Sequence, residues 1–174
     1  MRDTSGRALA HPQPPEVTSL KVWYSRVPDW SELAAFSGLR TLEVAGYSHH
    51  NLEPLASLNG LAHLRLLHFP NVASLEPLSH LASLESLALE SLPSYDASRK
   101  YLNVESFAPL SFLTKLRELR IWGVRASDRS LRALSTLGGL ATAHIGRGFP
   151  AAEYSALRTA LPATVFHFPR DNRG

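Results

Sequence analysis

The stretch Leu52-Glu-Pro-Leu55-Ala-Ser-Leu58-Asn-Gly-Leu61-Ala-His-Leu64-Arg-Leu66 sets its leucines at every third residue and then steps to a spacing of two. A period of three suits a 3₁₀ or short α turn, and a period of two suits a strand, whose alternate side chains leave on opposite faces. The two periods join without a break, so turn and strand form one short unit. The same figure returns at Leu75, Leu78, Leu81, Leu84, Leu87, Leu89, then at Phe107, Leu110, Leu113, Leu116, Leu119, Ile121, and again at Leu131, Leu134, Leu137, Leu140, Ala143, Ile145. Recurrence of this kind marks a repeat architecture.

Six strand units can be written: Val17-Thr-Ser-Leu-Lys-Val22, Leu39-Arg-Thr-Leu-Glu-Val44, Leu61-Ala-His-Leu-Arg-Leu66, Leu84-Glu-Ser-Leu-Ala-Leu89, Leu116-Arg-Glu-Leu-Arg-Ile121 and Leu140-Ala-Thr-Ala-His-Ile145. They recur about every 22 to 24 residues, except that about ten extra residues, near 93–103, separate the fourth from the fifth. With these units in view the chain resembles the leucine-rich repeat family, in particular the short-repeat kind of internalins and of a phosphatase-regulatory subunit, over Val17 to Phe168. The expected fold is an α/β solenoid, with parallel β-strands on the concave face and 3₁₀ or short α turns on the convex face. Residues 1–16 read as a flexible lead-in, 17–168 as one domain of about six repeats, and 169–174 as a tail.

At the ninth position of the repeat the family often has Asn or Cys, which satisfy backbone groups inside the turn. This chain has Ser25, Tyr47, Phe69, Leu92, Val124 and Gly148 there. Without a side-chain amide ladder, backbone pairing and apolar packing must hold the bend, and a less regular arc is expected. Glu53-Pro54 and Glu76-Pro77 open two return turns, with Pro where a first-turn N–H needs no partner and Glu near the positive end. Ala108-Pro109 repeats the Pro without the acid.

A single unit cannot bury its leucines, whereas stacked neighbours form one continuous core. The 174 residues suffice for such a core, with 44% hydrophobic residues to fill it and 19% charged residues to solvate it. The chain has no Cys, which excludes disulfides, thiolate catalysis and Cys-based zinc sites. Together with a start lacking an apolar h-region, this points to a reducing compartment, and a cytoplasmic location is expected, with secretion as an effector the other option. No run of residues has the length and apolarity of a membrane helix. Pro12, Pro14, Pro15 and Lys21 protect the first strand from pairing with another chain, and Thr164-Val-Phe-His-Phe168 reads as a closing strand.

The net charge of +3 conceals a division along the chain. Residues 31–93 hold two basic and six acidic side chains, and residues 94–174 hold twelve basic and six acidic. Such polarity can orient a partner, although a solvated surface explains it equally well.

A curved solenoid binds through its concave sheet, so the outward strand residues carry the functional question. One row reads Lys21, Glu43, Arg65, Ala88, Arg120, His144; a second reads Ser19, Thr41, His63, Ser86, Glu118, Thr142; a third reads Trp23, Ala45, Leu67, Glu90, Trp122, Gly146. Glu43 is expected between Lys21 and Arg65, in exposed pairs worth about 0–1 kcal/mol. Trp23 and Trp122 face solvent in this register and are favoured interface anchors, unless they fold over the ends as caps. Tyr24, Tyr47, His68 and Phe69, near the strand ends, are expected to extend the same lip. Six strands at the usual spacing give a face of roughly 400 Å², against about 800 Å² per partner in a standard interface. The insertion, with Tyr95 and Tyr101, is expected to supply the remainder as a contact loop, or else is a tolerated loop without a role. The partner-binding set is therefore Lys21, Trp23, Tyr24, Glu43, His63, Arg65, Glu90, Tyr95, Tyr101, Arg120, Trp122 and His144.

Catalytic signatures are missing. The eight histidines show neither H-E-x-x-H nor a repeated ligand spacing, and no G-x-S-x-G turn occurs. No metal, no cofactor and no enzymatic activity are expected. Arg117, Arg120, Arg125, Arg129, Arg132 and Arg147 with Trp122 suggest single-stranded nucleic acid as the alternative ligand. The register divides these arginines among strand, loop and return turn, which argues against one basic groove. The reading favoured is a non-enzymatic protein-binding module, in keeping with a small bacterial immunity or inhibitor protein or an effector.

Overall fold

The computed structural model describes Leu9 and residues 13–94 and 100–169. Seven strands form one parallel sheet: β1 (Ser19–Trp23), β2 (Thr41–Ala45), β3 (His63–Leu67), β4 (Ser86–Glu90), β6 (Glu118–Trp122), β8 (Thr142–Ile145) and β9 (Val165–His167), side by side in that order. The pairing aligns equivalent repeat positions, so Lys21 faces Glu43, Glu43 faces Arg65, Arg65 faces Ala88, Ala88 faces Arg120 and Arg120 faces His144. This is the register that the L-x-L units predict. Between the strands the chain returns through 3₁₀ turns at Trp30–Ala35, Glu53–Leu55, Glu76–His80, Ala108–Phe112 and Arg132–Thr136. Pro54, Pro77 and Pro109 stand in the first turn of three of them, where a missing N–H costs no bond.

Strand and turn leucines meet inside. Leu42, Leu64, Leu66, Leu87, Leu89, Leu119 and Ile121 from the strands and Leu55, Leu78, Leu110 and Leu134 from the turns are all buried in one core. Leu20 is only half-buried, because the first strand has a repeat on one side of it alone. Four strands, β1, β2, β3 and β6, end on a sharp bend. Gly46 and Gly123 take left-handed φ values of 75° and 64° there, and so do Tyr24 at 48° and His68 at 60°. The ninth-position side chains follow: Tyr47, Phe69 and Val124 are buried, so apolar packing does hold the bend at these repeats. Tyr47 adds a polar tie, its hydroxyl donating to the Asn51 carbonyl at 2.7 Å, and its ring lies 4.6 Å from that of Trp30. Burial raises the Tyr47 hydroxyl well above its ordinary pKa of 10.0.

Three features add to the expected plan. The insertion ends in a strand, β5 (Leu102–Val104), which pairs in parallel with β7 (Val124–Ala126) as a second, two-stranded sheet just beyond the main one. Leu102 and Val104 are buried against it. The last return is a full α-helix, α1 (Ala151–Ala160), favoured by an alanine-rich sequence with Glu153 in its first turn and Arg158 in its last. It closes the core with Leu157, while Glu153 accepts from the Leu131 N–H at 2.6 Å and the Ser130 hydroxyl at 3.0 Å. At the other end, the Leu9 N–H donates to Glu32 at 2.7 Å, and Pro14–Glu16 forms a 3₁₀ turn.

Candidate functional site

The outward strand positions form a shallow concave face whose middle row is charged. Lys21 Nζ lies 2.8 Å from Glu43, and Arg65 lies 3.8 Å from the same carboxylate, so Glu43 sits between its two cations as the register requires. At the next strand the row holds Ala88, which has no charge to offer. The structure fills the gap from the neighbouring row: Glu90, two residues further along β4 on the same face, turns back over Ala88. Its carboxylate accepts from Arg65 Nε at 2.7 Å and from Arg120 Nη1 at 3.3 Å. The result is one lateral ladder, Lys21–Glu43–Arg65–Glu90–Arg120, in which three cations share two carboxylates. Glu90 does not stand in solvent as the sequence reading places it. It is buried, at 7% exposure, because two guanidiniums and the flanking strands cover it.

The guanidiniums remain wet, with side-chain exposures of 40% for Arg65 and 51% for Arg120. Between them lies a hollow of about 520 Å³ lined by Ala88 and Glu90 and by Ser86, Glu118, Thr142 and His144. Glu118 is exposed and accepts weakly from the Ser86 hydroxyl at 3.4 Å. Beyond Arg120 the row ends in two histidines, His144 on β8 and His167 on β9, whose rings stack 4.2 Å apart and nearly parallel. Burial lowers the pKa of His144 below 6.5, and His167 and Arg120 add to that by repulsion, against the attraction of Glu118.

Both tryptophans point outward, Trp23 at 37% and Trp122 at 40% exposure. They stand at opposite parts of the third row, four strand spacings or about 19 Å apart. Trp23 meets Tyr24 edge to face at 6.1 Å, with Lys21 Nζ 5.2 Å above its ring. Ala45, between the aromatics of the first repeat and Leu67, is buried instead of outward, since the Tyr24 ring leans across the neighbouring Gly46. His63 is exposed in the second row. Tyr101 belongs to neither row: it carries Arg125 against its ring at 4.6 Å beside the second sheet. Tyr95 lies outside the described residues. The structure thus assembles Lys21, Glu43, Arg65, Glu90 and Arg120 into one ladder, with His63, Trp122 and His144 on the same sheet face and Trp23 with Tyr24 at its far end.

The remaining arginines do not join this face as one groove. Arg117 donates to the Gly139 carbonyl at 3.0 Å, Arg125 donates to Asn103 at 2.9 Å, and Arg132 opens a return turn. Among the described residues no group of three His, Asp or Glu side chains is placed to hold a metal ion, and no helix is long and apolar enough to cross a membrane. Sequence reading missed the bridging role of Glu90 and the partnership of His144 with His167. Ala88, small amid a charged row, was the available signal for the first.

No protein-family model and no curated protein matches the chain. Solved structures do. An internalin C2 of Listeria monocytogenes is 17% identical with a TM-score of 0.62, over 91% of this chain and 66% of its own length. A second Listeria monocytogenes internalin is 18% identical, over 97% of this chain and 55% of its own, with a TM-score of 0.46. A leucine-rich repeat protein of Leptospira interrogans is 15% identical, over 86% and 52%, with a TM-score of 0.32. The chain therefore spans less than two thirds of each of these proteins. With stacked L-x-L strands, 3₁₀ returns and the internalin C2 likeness all in agreement, its fold is that of a leucine-rich repeat solenoid.

Proposed function

We propose that the chain is a non-enzymatic module that holds a partner protein on its concave face. The observation that carries this reading is the pairing of Trp122 with Arg120 on β6: both are exposed and on one face, beside guanidiniums that Glu90 already holds in place. Interfaces are enriched in such Trp and Arg anchors, and side chains fixed in advance lose less freedom on binding. The strand face alone supplies roughly half the area of a standard interface, so the partner also touches flanking loops. The fragmented placement of the other arginines gives single-stranded nucleic acid no continuous track. Within this reading, a bacterial immunity or inhibitor protein and an effector both fit a short module of this kind.

The test is capture from lysate of the source organism, comparing wild type with a Trp122→Ala, Arg120→Ala double variant and with Phe112→Ala, which changes an exposed residue of a return turn on the convex side. Loss with the concave double variant and retention with Phe112→Ala is the expected outcome. Equal capture by all three would move the site off the concave sheet. A gene for a toxin beside this one would favour the immunity role over the effector role.

A further inference from the structure

We propose that the hollow over Ala88 receives an acidic side chain, Asp or Glu, carried on a loop of the partner, with Arg120 and Arg65 as its ligands. This rests on the concave-face reading above and names the chemistry of the partner at that face.

The argument begins with the count of charges in the ladder. Two carboxylates serve three cations, and the short contacts are Lys21 to Glu43 at 2.8 Å and Arg65 to Glu90 at 2.7 Å. Within the ladder the least satisfied cation is therefore Arg120, while Glu118, two residues before it on β6 and on the rim of the hollow, balances the charge of the face as a whole. A guanidinium has five N–H donors in a rigid fork, and among the described residues Arg120 spends one, on a long 3.3 Å bond. Half of its side chain is open to solvent. Arg65 is engaged through Nε, and its terminal nitrogens lie no nearer than 3.8 Å to Glu43. Both forks thus retain donors suited to a second carboxylate, while Glu90 beneath them fixes where those donors are.

Shape agrees with charge. Arg65 and Arg120 lie on strands two spacings apart, about 9.6 Å; Ala88 holds the row position between them, and the Glu90 carboxylate bound to both lines the hollow beside it. A protruding carboxylate can enter there, with the hydroxyls of Ser86 and Thr142 on the hollow's other rim as further donors. Glu118 opposes this charge from the same rim.

Isotope-labelled protein titrated with acetylated, amidated Gly-Leu-Glu-Glu-Leu-Gly tests this by NMR, alongside the same peptide with Lys in place of Glu and a short oligo(dT). The acidic peptide alone should shift the Ala88, Arg120 and Trp122 amides and the Arg65 Nε–H signal, saturably and less at high salt. Arg120→Gln should weaken it about tenfold, as loss of a charge-assisted hydrogen bond implies. Ala88→Leu, which narrows the hollow between the two guanidiniums and leaves the net charge unchanged, should weaken it, and Glu118→Gln should tighten it. No shift at millimolar acidic peptide, an equal response to the Lys peptide, or oligo(dT) bound at these residues in its place overturns the proposal. If lysate capture still depends on Trp122 and Arg120 in that event, concave protein binding stands and only the acidic ligand falls. If capture does not depend on them, both fall.

Discussion

Glu90 has two guanidiniums on a carboxylate that is itself out of water, and those guanidiniums are half in solvent. Removing either partner is therefore not symmetrical. Glu90→Ala leaves two cations that water can still solvate, and should cost about 1 kcal/mol. Arg65→Ala takes the shorter bond from a buried carboxylate and should cost about 1–3 kcal/mol. Urea unfolding of the two variants reads the difference, and an equal or reversed order would mean that Glu90 is better hydrated than its burial indicates. The histidines give a second residue-scale prediction. His144 and His68 both have folded pKa values below 6.5, burial being the first cause in each. The unfolded chain then binds protons first as pH falls, so stability begins to drop as pH passes down through 6.5 and is fully reduced below the folded values. His144→Gln should flatten part of that loss, measured as the difference in melting temperature between about pH 8 and pH 5. A profile unchanged by the substitution would contradict it.

At the scale of the element, one repeat is a strand and a return turn that share their leucines with the repeats on either side. Leu64 and Leu87 occupy equivalent positions in adjacent strands and are 2% and 1% exposed. Truncation to Ala in either should cost roughly 2–5 kcal/mol, because the removed atoms leave a cavity that stacked strands cannot close. Denaturation midpoints matching wild type would mean that these side chains are not where the parity of the strands puts them. The insertion belongs to this scale as well. By adding β5 and pairing it with β7, the chain turns part of an interruption into structure, and the extra strand buries Leu102 and Val104 that a plain loop would leave wet.

For the molecule as a whole, stability in a stacked array depends on neighbours, and the end repeats have fewer of them. The ends are managed differently here. Leu9 and the Pro14–Glu16 turn lie on the first repeat, whereas α1 and β9 close the last, with Leu157 and Leu161 buried beneath the helix. Amide hydrogen exchange should be slowest in β3, β4 and β6 and faster toward β1 and β9, where one side of the strand is unstacked. Uniform protection from β1 to β9 would indicate a single cooperative unit without end effects. The same geometry places the proposed binding face: parallel strands align equivalent repeat positions across the sheet, so residues far apart in sequence, such as Lys21 and Arg120, become members of one ladder.

The period of the leucines alone determined the solenoid, the strand register and the outward parity of Lys21, Arg65, Arg120, Trp23 and Trp122, because in a repeat each position's environment is copied from the one before it. Those relations are local, and sequence spacing expresses them fully. What only the tertiary structure decided are the departures from the copy. Glu90 leaves its own row to bridge Arg65 and Arg120, Ala45 is covered by the first repeat's aromatics, His144 meets His167 at the last strand, and the insertion builds a second sheet. Each depends on the length and direction of a side chain or segment reaching across strands, and a one-dimensional period carries no information about such reach.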